Sequence, residues 1–458
     1  MIALLIGPVG YGIIFQFYNF FLLFTSSLHL GTPVGLLAQR DSTMGKKGSP
    51  TIDNYFLFFI RLFLLVSLVL TIVFIFFSKQ ISYFLIGESS NYLVFSILIL
   101  GTPAAVSYSF VDAYLKNKEL IGLLVKITII SSIVSIIVLF PSVILWGVYG
   151  AAVVLFISSI IPILIFGFYK PDFIVKIFTE KIITITSIKV KILKIGSVSL
   201  LSSFMFIGSF IILRKIVIDN LGLLDNGIFQ SVITLSNSSF VVVYSFLSSY
   251  LLPKISKLEN YSDIAIDLDN GLRFVIFMVV PILIFVFLYR YTIISLVYSA
   301  EFSKAGDLIF YQFMGDSFKC LSSLFGLWMI SKMKIKYIML FDFILNFVLL
   351  AIPITYFYIL NYTNIAIVPI AYMIALFLHF LLYYTYSYVE LKYRMSNSTM
   401  KAILLSVIAV LICFGFSYFN IAFQMISAPI LIIIYLYTTF SKNERTRLIF
   451  ALRNFAVR

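Results

Sequence analysis

The chain has 458 residues, of which 62% are hydrophobic and only 11% charged, with a formal net charge of +14 and a mean hydropathy of +1.09. A soluble fold of this length cannot hide so much apolar surface, so soluble enzymes and binding domains are excluded. The cations fall mostly in loops between apolar stretches, which argues against a nucleic-acid partner and for membrane orientation by the positive-inside rule.

Each stretch is about twenty residues long, the length of helix that crosses a hydrocarbon core of about 30 Å. In chain order the predicted spans are 11–38, 55–77, 92–114, 121–140, 147–168, 197–218 and 228–252, then 274–297, 308–330, 337–360, 365–389, 402–418 and 421–440. The expected fold class is all-α, a polytopic membrane protein in contact with membrane lipids. The first connection carries Arg40, Lys46 and Lys47, whereas the next, around Gly87 to Asn91, has no cation after Lys79. This alternation continues through Lys116 and Lys118, Lys170 to Lys194, Lys254 and Lys257, Lys332 to Lys336, and Lys392 and Arg394 to the tail with Lys442, Arg445, Arg447, Arg453 and Arg458. All these loops read as cytoplasmic.

About thirteen spans ending in a cytoplasmic tail require an outside N-terminus. Yet Met1 to Ile6, before Gly7-Pro8, read as the last turns of a helix, so a truncated first helix is expected. No basic segment or small-residue cleavage site marks a signal peptide.

The connection 169–195 divides the chain: residues 1–168 are expected as an N-terminal lobe, 196–389 as a C-terminal lobe, and 390–458 as two further helices with a basic tail. Within the connection, Ile174, Ile177, Phe178, Ile182 and Ile185 recur at helical spacing, with Lys181 on the stripe and Val175 and Ile183 off it. This reads as an interfacial amphipathic helix or a solvated linker. Gly12-Ile13-Ile14-Phe15-Gln16 echoes Gly227-Ile228-Phe229-Gln230, an even number of crossings apart, which is the spacing of a parallel repeat.

A charge at the bilayer centre costs about 2.5 to 3.5 kcal/mol on insertion scales, so those that occur face a cavity or a partner. Asp112, Lys126, Arg273 and Asp342 lie near cytoplasmic ends, where long side chains reach water. Arg61, Arg214, Lys215, Arg290, Asp316 and Lys319 lie deeper or in combinations and are candidate substrate-binding residues. Asp316 and Lys319 share a helical face and can neutralise each other. Arg214 and Lys215 project about 100° apart, so at most one of them points straight into a cavity. Guanidinium forks bind phosphate oxygens bidentately, which suits a diphosphate ligand. Gln16, Gln230 and Gln312, with Asn19 and Asn237, supply neutral groups for sugar hydroxyls or glue between helices.

His29 and His379 are expected in hydrogen-bonded structural roles, and Cys320 and Cys413 as small core residues. No metal-ligand spacing, catalytic triad or nucleotide loop occurs, and no cofactor is expected.

Gly7 to Gly12, Asn226 to Gln230 leading to Tyr250-Leu251-Leu252-Pro253-Lys254, Leu213-Arg214-Lys215, and Gln312-Phe313-Met314-Gly315-Asp316-Ser317-Phe318-Lys319 together resemble bacterial polysaccharide flippases. The branch is that of O-antigen translocases and lipid III flippases within the multidrug/oligosaccharidyl-lipid/polysaccharide exporter superfamily. The resemblance implies two six-helix lobes in a parallel pseudo-repeat plus C-terminal helices, working by alternating access. It also implies an undecaprenyl-diphosphate-linked glycan as substrate, an inner-membrane location, and a polymerase and chain-length regulator as pathway partners. Two other readings compete. A drug/cation antiporter of the same superfamily predicts acidic cavity residues in excess of basic ones, and an O-antigen polymerase predicts a large outside loop, where the outside loops here are short.

Overall fold

The computed structural model describes residues 2–38, 52–180, 186–440 and 444–446. The chain divides into two compact units, Met1–Gly227 and Ile228–Arg458. Every regular element among the described residues is helical, as burial in hydrocarbon demands: helices satisfy their backbone groups internally.

The first unit holds α1 (Ile2–Leu28), α2 (Thr32–Ala38), α3 (Ile52–Phe76), α4 (Ser78–Ile86), α5 (Tyr92–Leu100), α6 (Thr102–Asn117), α7 (Ile121–Tyr169), α8 (Pro171–Thr179) and α9 (Thr186–Leu221). The boundary falls inside α10 (Leu223–Phe246). The expected division at 169–195 lies instead within the first unit, because α9 packs along α1 and α2.

The second unit continues with α11 (Leu252–Ser256), α12 (Tyr261–Leu288), α13 (Arg290–Val297), α14 (Ala305–Ser331), α15 (Ile335–Ile354), α16 (Ile367–Glu390), α17 (Asn397–Phe416) and α18 (Ile421–Thr439). Eleven helices among the described residues are long and apolar enough to cross a membrane. One of them, α7, runs for 49 residues but is broken at Gly147, whose φ of 54° and ψ of −124° are not helical. A positive φ suits a residue without Cβ. Dividing α7 there and adding the 27-residue α14, whose Asp307, Asp316 and Lys319 lower its hydropathy, brings the eleven to thirteen. The chain is a multi-pass membrane protein.

Phenylalanine fills the first unit's core. Phe17 meets Phe95 at 5.6 Å between centroids, and Phe63 stacks on Phe110 at 5.9 Å. The repeated glycine motifs meet at its edge. A Cβ on Gly12 would lie 2.6 Å from the Leu223 carbonyl oxygen, and one on Gly227 only 1.8 Å from that of Pro8. Asn226 Nδ2 donates to the Gly12 carbonyl at 3.0 Å and fixes the contact. Small residues admit such close backbone approach between membrane helices.

In the second unit α14 packs against α12 and α16. The fully buried Trp328 donates its Nε1 hydrogen to Ser387 at 2.7 Å. Asp269 fastens the start of α17 and the connection before it to α12 by accepting from Tyr393 (3.0 Å), Ser396 Oγ (2.7 Å) and Thr399 (2.8 Å).

The short α8 buries Phe173 and Ile177 while Val175 and Phe178 stay exposed. Phe173 packs on Tyr114 at 4.4 Å and Phe166 at 5.5 Å. Phe178 of the expected stripe therefore faces away, and Lys181, Ile182 and Ile185 lie outside the described residues.

Candidate functional site

In the first unit the candidates occupy two regions. Gln16 is fully buried on α1 and donates through Nε2 to the carbonyls of Leu85 and Ile211, both at 3.3 Å, while its Oε1 carries no hydrogen bond. One turn beyond Ile211, Arg214 is only 1% exposed, with the Tyr11 phenol in electrostatic interaction with it. Its neighbour Lys215 turns away and pairs with Asp219 one turn on, both partly exposed. The 100° step between consecutive helical residues separates the two cations, one inward and one outward.

Arg61 belongs elsewhere. Its guanidinium donates to the carbonyls of Lys176 (2.9 Å), Glu180 (2.6 Å) and Ile177, all at the C-terminal end of α8. These carbonyls lie at the negative end of the helix dipole, where a cation is favourable, although Lys176 O also accepts from the Glu180 backbone N–H at 3.2 Å. Arg61 thus anchors α8 to α3. Arg214 lies about 42 Å along α9 from its first residue at 1.5 Å per residue, so these two arginines do not form one cluster.

In the second unit Asp316 is the centre. It is 1% exposed, and its carboxylate accepts from Ser236 Oγ at 2.6 Å, Gln312 Nε2 at 3.0 Å and the Tyr372 hydroxyl at 2.6 Å. Lys319, three residues on, holds its ammonium 5.6 Å from the Tyr244 ring centroid. Neutral donors thus meet the carboxylate, and an aromatic face lies near the ammonium. Gln230 donates to Thr234 on its own helix at 2.8 Å.

Arg290 opens α13, 8% exposed, with Nη1 donating to the Phe287 carbonyl at 2.8 Å. The guanidinium lies 4.6 Å from the ring centroids of both Phe287 and Tyr291. Tyr291 in turn donates to Asp307 at 2.6 Å. Arg290 marks the loop end of this unit, whereas Lys319 lies about 21 Å along α14.

Three of the four charges near span ends have charged or ionisable neighbours: Asp112 pairs with Lys116 at 2.6 Å, Arg273 with Glu444, and Asp342 lies 3.3 Å from His379 Nε2. Ser236, Tyr372 and Tyr244 were not among the candidates. They sit 80, 56 and 72 residues from Asp316 in no sequence pattern, and only tertiary packing gathers them around α14.

Two bundles of long helices, joined through consecutive spans and each carrying buried polar groups, can be compared with solved folds. No family model matches the chain. A structure titled as the inward-facing conformation of a MATE-family multidrug resistance transporter of the MOP superfamily aligns with a TM-score of 0.74 at 14% identity, covering 85% of this chain and 92% of that one. The chain shares the fold of that structure. The lipid II flippase MurJ, in an inward closed conformation, aligns with a TM-score of 0.69 at 15% identity, covering 93% of this chain and 95% of that one. By sequence, the lipid III flippases of Escherichia coli (strain K12) and Shigella flexneri are each 29% identical over 147 residues, which is 32% of this chain. The chain's match spans about a third, 35%, of the length of these relatives.

Proposed function

We propose that this chain is a lipid-linked oligosaccharide flippase of the bacterial inner membrane. It carries an undecaprenyl-diphosphate-linked glycan, such as an O-antigen repeat unit, from the cytoplasmic to the periplasmic leaflet by alternating access, beside a polymerase and a chain-length regulator of the same pathway. The observation that carries this reading is the 29% identity to two lipid III flippases. Buried guanidinium groups at Arg214 and Arg290 support it, because such forks suit a diphosphate. In this reading Gln16, Gln230 and Gln312 serve the sugar, and Lys319 assists near the headgroup.

Complementation tests it. The gene is expressed in a cell deleted for its own O-antigen flippase, and surface glycan is measured. Restoration of glycan at normal protein levels is expected, and none at all with the protein present in the membrane overturns the reading. The drug/cation antiporter reading draws on the MATE likeness and on buried Asp316. It predicts efflux of a cationic dye that Asp316→Asn abolishes.

A further inference from the structure

A groove of about 790 Å³ opens on the first unit between α1, α3 and the start of α9. Phe58, Leu62, Val66, Leu70 and Phe74 form its floor, an i, i+4 row along α3. Phe74 packs against Phe24 of α1 at 4.2 Å and closes the far end. At the other end stands one cation, Lys189 of α9, with its ammonium 4.7 Å from the Phe58 ring centroid.

The floor from Phe58 to Phe74 runs for about 24 Å at 1.5 Å per residue. A single leaflet of hydrocarbon is only about 15 Å deep, half of a 30 Å core. The row therefore continues past the depth that an ordinary acyl chain reaches from its own headgroup. A second apolar groove, about 660 Å³ between α12, α14, α16 and α17, is lined by no charged residue. It offers a phosphate no cation.

We propose that the first-unit groove holds the polyisoprenoid chain of a polyprenyl phosphate or diphosphate, with the phosphate at Lys189. The assignment rests on the flippase reading and names where the cargo's tail lies. Three features select that occupant. The wall is apolar apart from Ser27, Thr186 and Lys189, the length exceeds one leaflet, and the single cation lining the groove stands at the end next to the basic connection that carries Lys170, Lys176, Lys191 and Lys194. By the charge rule that end is cytoplasmic, where a cargo built in the cytoplasm enters.

Photo-crosslinking of the full chain in phosphatidylcholine nanodiscs tests the assignment. Leu62 or Leu70 is replaced by p-benzoylphenylalanine, and radiolabelled undecaprenyl phosphate is the probe. Leu145, which is 69% exposed on α7 and outside the groove, receives the same replacement as control. Labelling at Leu62 and Leu70 is expected to exceed that at Leu145. Unlabelled undecaprenyl phosphate should compete about tenfold better than farnesyl phosphate or phosphatidylglycerol. Lys189→Glu should lower labelling about tenfold, and Lys189→Arg should retain it. Equal labelling at all three positions, or equal competition by phosphatidylglycerol, overturns the assignment and leaves a surface coated with ordinary lipid. Glycan complementation separates the two ideas. Restored glycan without a groove preference sinks only the groove, whereas a groove preference in a chain that restores no glycan sinks only the flippase reading.

Discussion

The Tyr372 hydroxyl donates to Asp316 at 2.6 Å across 56 residues of sequence, joining α16 to the middle of α14. With Ser236 and Gln312 it completes a set of three donors on one buried carboxylate. Removing one partner of a buried hydrogen bond costs about 1–3 kcal/mol. Tyr372→Phe should therefore lower the melting temperature of the purified protein, and Asp316→Ala should lower it further by stranding three donors. Thermal unfolding in detergent checks the order. A melting temperature for Asp316→Ala equal to wild type would show that the network holds nothing together.

The membrane spans are legible in the sequence because the bilayer imposes a length on every one of them. The break at Gly147 shows there as well, since two apolar blocks flank it. The partners of buried charges are a different matter. Asp316 shares a helical face with Lys319, and local spacing favours that pair, but nothing local announces the donors from α10 and α16 that reach the carboxylate. Arg61 reads as an isolated charge within a span, and nothing in its neighbourhood announces that residues 115 to 119 positions away present carbonyls to it. Local periodicity locates a side chain on its own helix. Which neighbour it meets depends on packing between helices.

The three carbonyls at Lys176, Ile177 and Glu180 make Arg61 the cap of α8. An ammonium cannot serve three carbonyls with the geometry of a planar fork. Both Arg61→Ala and Arg61→Lys should loosen α8, with amide exchange in 171–180 rising about 5- to 30-fold for a loss of 1–2 kcal/mol. Hydrogen exchange followed by mass spectrometry reads this directly. Unchanged exchange in that segment, with glycan transport lost, would place Arg61 on the substrate path.

Arg214 and Lys215 are adjacent in sequence and opposite in environment, one 1% exposed and the other paired with Asp219. An exposed i, i+4 ion pair contributes only about 0.3–0.5 kcal/mol. Lys215→Ala should leave surface glycan within about twofold of wild type in the complementation assay. Arg214→Ala should reduce it more than tenfold at matched membrane levels, as loss of a headgroup contact worth over 1.4 kcal/mol requires. The reverse ranking would move the ligand contact to the outer face of α9.

The contact between the two glycine motifs leaves no room for a methyl group. On Gly227 a Cβ would fall 1.8 Å from the Pro8 carbonyl oxygen, and on Gly12 it would fall 2.6 Å from that of Leu223. Both obstacles are backbone, so neither can swing aside as a side chain does. Gly208, inside α9, has open space around its Cβ position. There alanine should be neutral or stabilising, because it favours a helix interior by about 1 kcal/mol over glycine. Gly227→Ala and Gly12→Ala should therefore cut the yield of folded protein sharply, while Gly208→Ala raises or preserves the melting temperature. Size-exclusion profiles and thermal unfolding of the three variants separate close approach from helix propensity, since propensity alone predicts the same gain at all three sites.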